Sequence, residues 1–241
     1  VLANQQYFDI IVSEQHFSFS TKIDDLIGSM SFKNSNENPP FYEYLNFITQ
    51  MQKQVTPIRQ QLETAEGDAK KVLQEKANAI DVKVKKFRKD FMINNKDKFF
   101  SKIVTATTEI QIPESPLDST GNPDKTFPYR FYKNHFWDNI DFSDSRMLRT
   151  PIFFNKMDQY LNKLTVKHPD SINVSADVLI KLSKANGDIF QYVVSYITPT
   201  YERSKIMGMD AVFVHMVEKY YITNQCDWVD STQLVKIADR A

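Results

Sequence analysis

The sequence predicts a mainly α fold: short N-terminal β-strands, a long antiparallel helical hairpin, then a C-terminal bundle of five or six helices. Three observations predict it. Apolar residues step by threes and fours through two long series between Phe41 and Phe91, the spacing of a helical packing seam. Pro, Gly and Asx residues then punctuate 150–241 at intervals that suit short helices joined by short loops. Before residue 34 the chain is instead rich in β-branched and aromatic residues, which favours strands.

The strands are expected within 4–33. Tyr7, Phe8, Ile10, Ile11 and Val12 form an apolar run, and Phe17 and Phe19 alternate with Ser18 and Ser20. Leu26, Ile27, Met30 and Phe32 follow, with Gly28 interrupting. Three strands this short bury little alone, so 1–37 reads as the end of a β-rich domain. Residues 34–40 are a break in which Asn38 is expected to cap a helix carrying Pro39 and Pro40 in its first turn.

The first helical series is Phe41, Leu45, Ile48, Met51, Val55, Ile58, Leu62 and Ala65. Its phase slips by one near Gly67, and Ala69, Leu73, Ala77, Ile80, Val84, Phe87 and Phe91 continue. Glu66-Gly67-Asp68 offers a C-cap glycine and a fresh N-cap, so a hairpin is the economical reading. One unbroken helix of about 50 residues is the alternative, which the slip disfavours. Pro57 is expected to kink or restart the first arm. A short helix over 96–108 completes the segment 38–112.

Residues 113–128 hold four prolines and a glycine and read as an exposed loop or linker. The helical domain 129–241 follows. Thr150-Pro151 opens a helix to about Thr165, and His168-Pro169-Asp170 opens another to Ala185. Gly187 ends that one, and Asp188 caps the next, which reaches Tyr201 and is bent or broken at Pro199. Gly208 and Asp210 frame a helix to Tyr221, and Asp230 with Gln233 resembles a capping box.

Composition mostly excludes. The 241 residues carry 30 basic and 30 acidic side chains, a net charge of zero, which argues against nucleic acid bound through a broad basic field and against a polybasic membrane module. Five glycines and one cysteine leave no phosphate-cradling loop, CxxC pair, cysteine zinc site or disulfide framework. No cofactor or metal is expected. No apolar run reaches the length of a membrane span, and no signal-peptide pattern precedes Val1, so any export signal is expected to lie outside this sequence.

His16, His135, His168 and His215 do not pair at metal spacing; His168 reads as a loop or cap residue and His215 as a partly buried structural one. The Asp118–Asp124 stretch reads as a turn, because its glycine position and lack of a terminal Glu do not fit a calcium loop. Cys226, beside Asp227, reads as an inert thiol. The densest segment, 129–151, mixes six aromatics with Arg130, Lys133, Arg146 and Arg149. That is the composition of an interface hot spot and equally of a buried corner held by Arg–Asp pairs. Asp138, Asp141 and Asp144 fall three apart, but capping and salt bridging explain them better than acid–base work. Met207, Met209 and Met216 suit either an adaptable binding surface or, more simply, core. The contact surface chosen from these segments is Tyr129, Arg130, Trp137, Arg146, Arg149, Lys205 and Met207.

Two stretches, FYKNHFWDNIDFSDSRMLRTPIFFNKMDQYL (131–161) and YERSKIMGMDAVFVHMVEKYY (201–221), resemble a region of unknown function found upstream of the redoxin domain in thioredoxin-like envelope proteins of Bacteroidetes. FYEYLNFITQMQKQ resembles the middle segment of those proteins, and SMSFKNSNENPPF the end of their β-rich opening domain. The resemblance covers most of 15–241. It implies a periplasmic or envelope location and a non-catalytic accessory module. Such a module positions a thioredoxin-like domain C-terminal to it in the same chain, expected to begin about where this sequence stops, or recruits that domain's protein substrate. The CxxC of that domain matches no position here, and Cys226 does not stand in for it. The alternative is an envelope module binding a small ligand or peptide in a groove walled by Trp137 and Tyr132. The hairpin seam is also a candidate for homodimer pairing.

Overall fold

Two strands of three residues, β1 (Ser18–Ser20) and β2 (Ser31–Lys33), pair antiparallel with Phe19 opposite Phe32. The computed structural model in which they were traced describes residues 7–117 and 119–241; positions 4–6 of the expected strand region lie outside these. Residues 7–12 and 26–30 are not strands, because their backbone is satisfied by side chains or turns rather than by a neighbouring ladder. The buried Asn38 side chain accepts from Ile11 N at 2.9 Å and donates to Ile11 O at 2.8 Å, while Tyr42 Oη donates to Asp9 O at 3.0 Å.

The chain divides into two units, Val1–Thr105 and Ala106–Ala241, a boundary that falls inside the segment 38–112. In the first unit α1 (Asn38–Leu62) and α2 (Gly67–Asn94) form the hairpin. The single-helix alternative is excluded, since α1 ends at Leu62 and Gly67 takes φ +57°, a left-handed value that glycine adopts at little cost. Met51 and Val55 pack against Ala77 and Ile80 near the turn. Towards the open end the Phe47 and Phe87 rings stack at 3.8 Å, and Phe41, Tyr42, Phe91 and Phe100 gather with Ile27, Met30 and Phe32. Residues before 38 therefore share the hairpin's own core.

Two expectations at α1 are corrected. Asn38 is not the cap: Glu37 precedes the helix and Asn38 is its first residue, its amide being spent on Ile11. Nor does Pro57 restart the arm, which runs through it. The donor that Pro57 lacks lies on an exposed face, where water can serve the orphaned carbonyl. Glu37, only 7% exposed, accepts from Phe99 N at 2.9 Å and Phe100 N at 3.4 Å. It thereby caps α3 (Phe99–Ala106) from 62 residues away.

The second unit begins with an irregular stretch that Asp124 N closes on Pro116 O at 2.8 Å. Helix α4 (Phe127–His135) starts inside the expected 113–128 loop and takes Pro128 into its first turn, where its missing N–H is harmless. A 3₁₀ turn (Ser145–Arg149) leads into α5 (Pro151–Asp158), which continues as a π-helical turn over Gln159–Lys163. Then come α6 (Pro169–Ser183), α7 (Gly187–Glu202), α8 (Asp210–Met216) with a π turn over Val217–Tyr221, and α9 (Ser231–Ala238). The mainly α class, short strands, hairpin and six-helix C-terminal region agree with the sequence reading.

Caps differ in detail. Asn186, not Asp188, caps α7: its Oδ1 accepts from Asp188 N at 3.0 Å and Ile189 N at 3.3 Å. Thr150 holds the N-cap position of α5, but its hydroxyl donates to Met147 O. Asp230 does cap α9, accepting from Gln233 N at 2.8 Å. Helix α7 passes Pro199 unbroken to Glu202. Beside that proline Thr198 and Thr200 bond back to the carbonyls of Val194 and Tyr196, a pattern helices accommodate with at most a bend. Helices α6, α7 and α8 pack on one another, and Phe153, Leu161, Leu179, Ile180, Ile197 and Met216 are fully buried between the elements.

Candidate functional site

Of the residues chosen for a contact surface, all but Trp137 are exposed. Trp137 is core, 6% exposed, with its ring against Phe136, Phe142, Phe153 and Tyr160; an indole flanked by so many aromatics is worth more buried than exposed. Tyr129 is exposed and donates to Leu164 O at 2.7 Å. Arg130 pairs with Asp124 at 2.5 Å, and Arg146 grips both oxygens of Asp144 at 2.8 and 2.6 Å. Arg149 and Lys205 are exposed. Met207 is 98% exposed and Ile206 beside it 54%, whereas Met209 and Met216 are core. The methionine group thus splits between the two expected roles.

The three spaced aspartates serve separate local partners. Asp138 pairs with His135 Nδ1 at 2.6 Å, Asp141 Oδ1 accepts from Ser143 N and Oγ, and Asp144 caps the 3₁₀ turn through Arg146 N. Each carboxylate stabilises its own turn, which removes the motive for reading them as a catalytic group. In the expected turn, Asp118 lies outside the described residues. Gly121 takes φ +80°, and Asp124 Oδ1 accepts from Thr126 N and Oγ1. Among the described residues no cluster of three or more His, Cys, Asp or Glu is placed to hold a metal ion. Cys226 is 5% exposed, and burial, helped by Asp227, pushes its thiol up to about 12; so high a value keeps the thiolate scarce at neutral pH.

A polar cluster the sequence reading did not assemble joins α6 to the end of α8. Asp177 accepts from Tyr220 Oη at 2.5 Å, Lys219 Nζ at 2.7 Å and meets His215 Nε2 at 2.9 Å. Burial raises the Asp177 pKa, but the bonds from Lys219, Tyr220 and His215 outweigh it and hold the carboxyl below its usual range. Burial and the neighbouring carboxylate push the Tyr220 phenol upward. His215, expected to be structural, has Asp177 as its partner.

Two further features are candidates for recognition. A cavity of about 530 Å³ opens beside α5, lined among others by Ile110, Tyr132, Ile152, Asn155, Lys156 and Gln159. Tyr132 does wall it, as the groove reading requires; Trp137 does not. The other is a stripe along α6: Val174, Val178 and Leu182 are 64%, 42% and 38% exposed. Their spacing by four was visible in the sequence. The opposite face of α6 carries Ile172, Ala176, Leu179 and Ile180 to the core, and a helix apolar on two faces has one to offer elsewhere.

Residues 92–241 match a domain of unknown function (DUF5106). The chain belongs to that family. No curated protein and no solved structure matches it. No helix among the described residues is long and apolar enough to cross a membrane.

Proposed function

We propose that the chain is a non-catalytic accessory module of a thioredoxin-like thiol–disulfide oxidoreductase in the envelope of a Bacteroidetes bacterium. It positions the redox domain or recruits that domain's protein substrate. The observation that carries the reading is the exposed apolar surface of the DUF5106 region. Val174, Val178 and Leu182 line α6, and Ile206 and Met207 crown the loop before α8. An exposed apolar stripe on a helix whose opposite face lies in the core marks a contact surface. The resemblance of 131–161 and 201–221 to sequences preceding redoxin domains supplies the partner.

The test has two arms. The purified chain is assayed for dithiothreitol-coupled insulin reduction, where no activity is expected and measurable turnover overturns the reading. A photo-crosslinking residue is then placed at Val178 or Met207, and a thioredoxin-like domain from such a protein is added. Crosslinks from these positions, absent from one at exposed Glu75, support the proposal; equal yield from all three overturns it.

A further inference from the structure

The cavity beside α5 goes beyond an interaction role. Its volume of about 530 Å³ falls in the range of small-molecule sites. Ile110, Ile152 and the Tyr132 ring give it apolar walls, and Asn155 and Gln159 add amide groups. The wall formed by 107–112 is fixed, because Asn139 Nδ2 donates to Thr108 O at 2.9 Å. What sets the cavity apart is Lys156. Its Nζ sits 4.6 Å from the ring centroid of the fully buried Phe136, with Phe136 O as a long 3.4 Å acceptor. No carboxylate among the described residues forms an ion pair with it. Desolvation accordingly lowers the Lys156 pKa.

A half-buried ammonium with three donors and one long acceptor is an unmet demand for an anion. The site holds this single cation, and Glu109, exposed, lines the same cavity. One positive charge with an acid nearby suits a monoanion better than a phosphate dianion, which calls for several donors. We propose that the cavity binds an apolar monocarboxylate, its carboxylate paired with Lys156 Nζ and its body against Ile110, Ile152 and Tyr132. The ligand is either a free organic acid or the C-terminus of an apolar peptide. The site shares no residue with the apolar surface on α6, so it stands or falls apart from the accessory role.

The test is calorimetric titration of the full chain with 4-phenylbutyrate and with N-acetyl-Gly-Phe, each beside its uncharged counterpart, 4-phenylbutanol and the dipeptide amide. At least one acid is expected to bind saturably and about tenfold or more tighter than its counterpart. Tighter binding by phenylbutyrate assigns the site to free acids, and tighter binding by the peptide to C-termini. Lys156→Met, which keeps the apolar stem, should abolish that preference, and Lys156→Arg should keep it; the melting temperature of each variant checks its fold. Saturable binding by neither acid, equal binding of acid and neutral analogue, or an unchanged preference in folded Lys156→Met overturns the proposal.

Discussion

The two units solve the same packing problem with different depth. The largest fully buried side chains, among them Phe136, Phe153, Met157 and Leu161, all belong to the second unit. In the first, Met51, Val55, Ala77 and Ile80 keep 6–9% of their surface exposed. Two antiparallel helices share one seam, and each residue in it has neighbours on only one side. Six helices folded around one another close the seam into a core. The hairpin unit is also pinned by single polar side chains, with Asn38 holding Ile11 and Glu37 capping α3.

A matched pair of substitutions can break that contrast most directly. Ile180→Ala, in the closed core, should cost about 4 kcal/mol and Ile80→Ala, on the seam, about 2 kcal/mol, both within the range of about 2–5 kcal/mol for such truncations. Urea unfolding followed by residue-resolved hydrogen exchange reads each unit separately; equal losses would remove the distinction. Asp177→Asn comes next. It weakens three bonds at a partly exposed site and should cost the second unit about 1–2 kcal/mol at pH 7. Because the folded carboxyl lies below its ordinary value, its contribution is complete above the unfolded pKa of about 4 and is lost as the pH falls through the folded one. Wild type and Asp177→Asn should therefore converge in acid, which a series of melts across pH 2–7 would show.

Glu37→Ala should cost the first unit about 1 kcal/mol, the usual worth of a helix cap, and Glu37→Gln less, since the amide oxygen can still accept. Exchange of the Phe99 and Phe100 amides is the readout, and unchanged protection in Glu37→Ala would show that the pin carries no load. The smallest effect is expected at Tyr201, whose buried hydroxyl has no hydrogen-bond partner among the described residues. Tyr201→Phe should stay within about 0.5 kcal/mol of wild type at pH 7, or gain slightly. Burial, with Tyr196 and Asp158, raises the Tyr201 phenol to about 12. Its contribution is thus intact below pH 10 and lost as pH rises towards 12, so Tyr201→Phe should show a shallower alkaline decline in thermal melts.

Legibility followed the range of the interactions involved. The seam residues from Met51 to Ile80 could be read because helical periodicity is local, and Asp230 could be read as a cap because its target lies three residues away. Asn38 misled because its amide reaches a residue 27 positions back, and Glu37 was missed because its targets lie 62 positions on. Trp137 looked like a hot spot since aromatic–arginine composition is the same on a surface and in a corner. Its burial depends on Phe153 and Tyr160, which only the folded chain brings to it. The Asp177 cluster spans 38 to 43 residues and leaves no local mark. The α6 stripe was legible in spacing but not in exposure.

The π turns that close the α5 and α8 helices carry a consequence for side-chain aim. In each, an amide reaches back five residues, Leu164 N to Gln159 O and Ile222 N to Val217 O, so the turn holds one residue more than an α turn. Removing that residue would restore a regular helix and swing everything beyond it by roughly 100° about the axis. Near the start of a helix such a slip would scramble the whole buried face. At its last turn it re-aims only a few side chains, among them Tyr220 towards Asp177 and Tyr221 towards Thr198. Helix ends are thus where this chain holds an extra residue that aims its tyrosines while the interior of the helix stays regular.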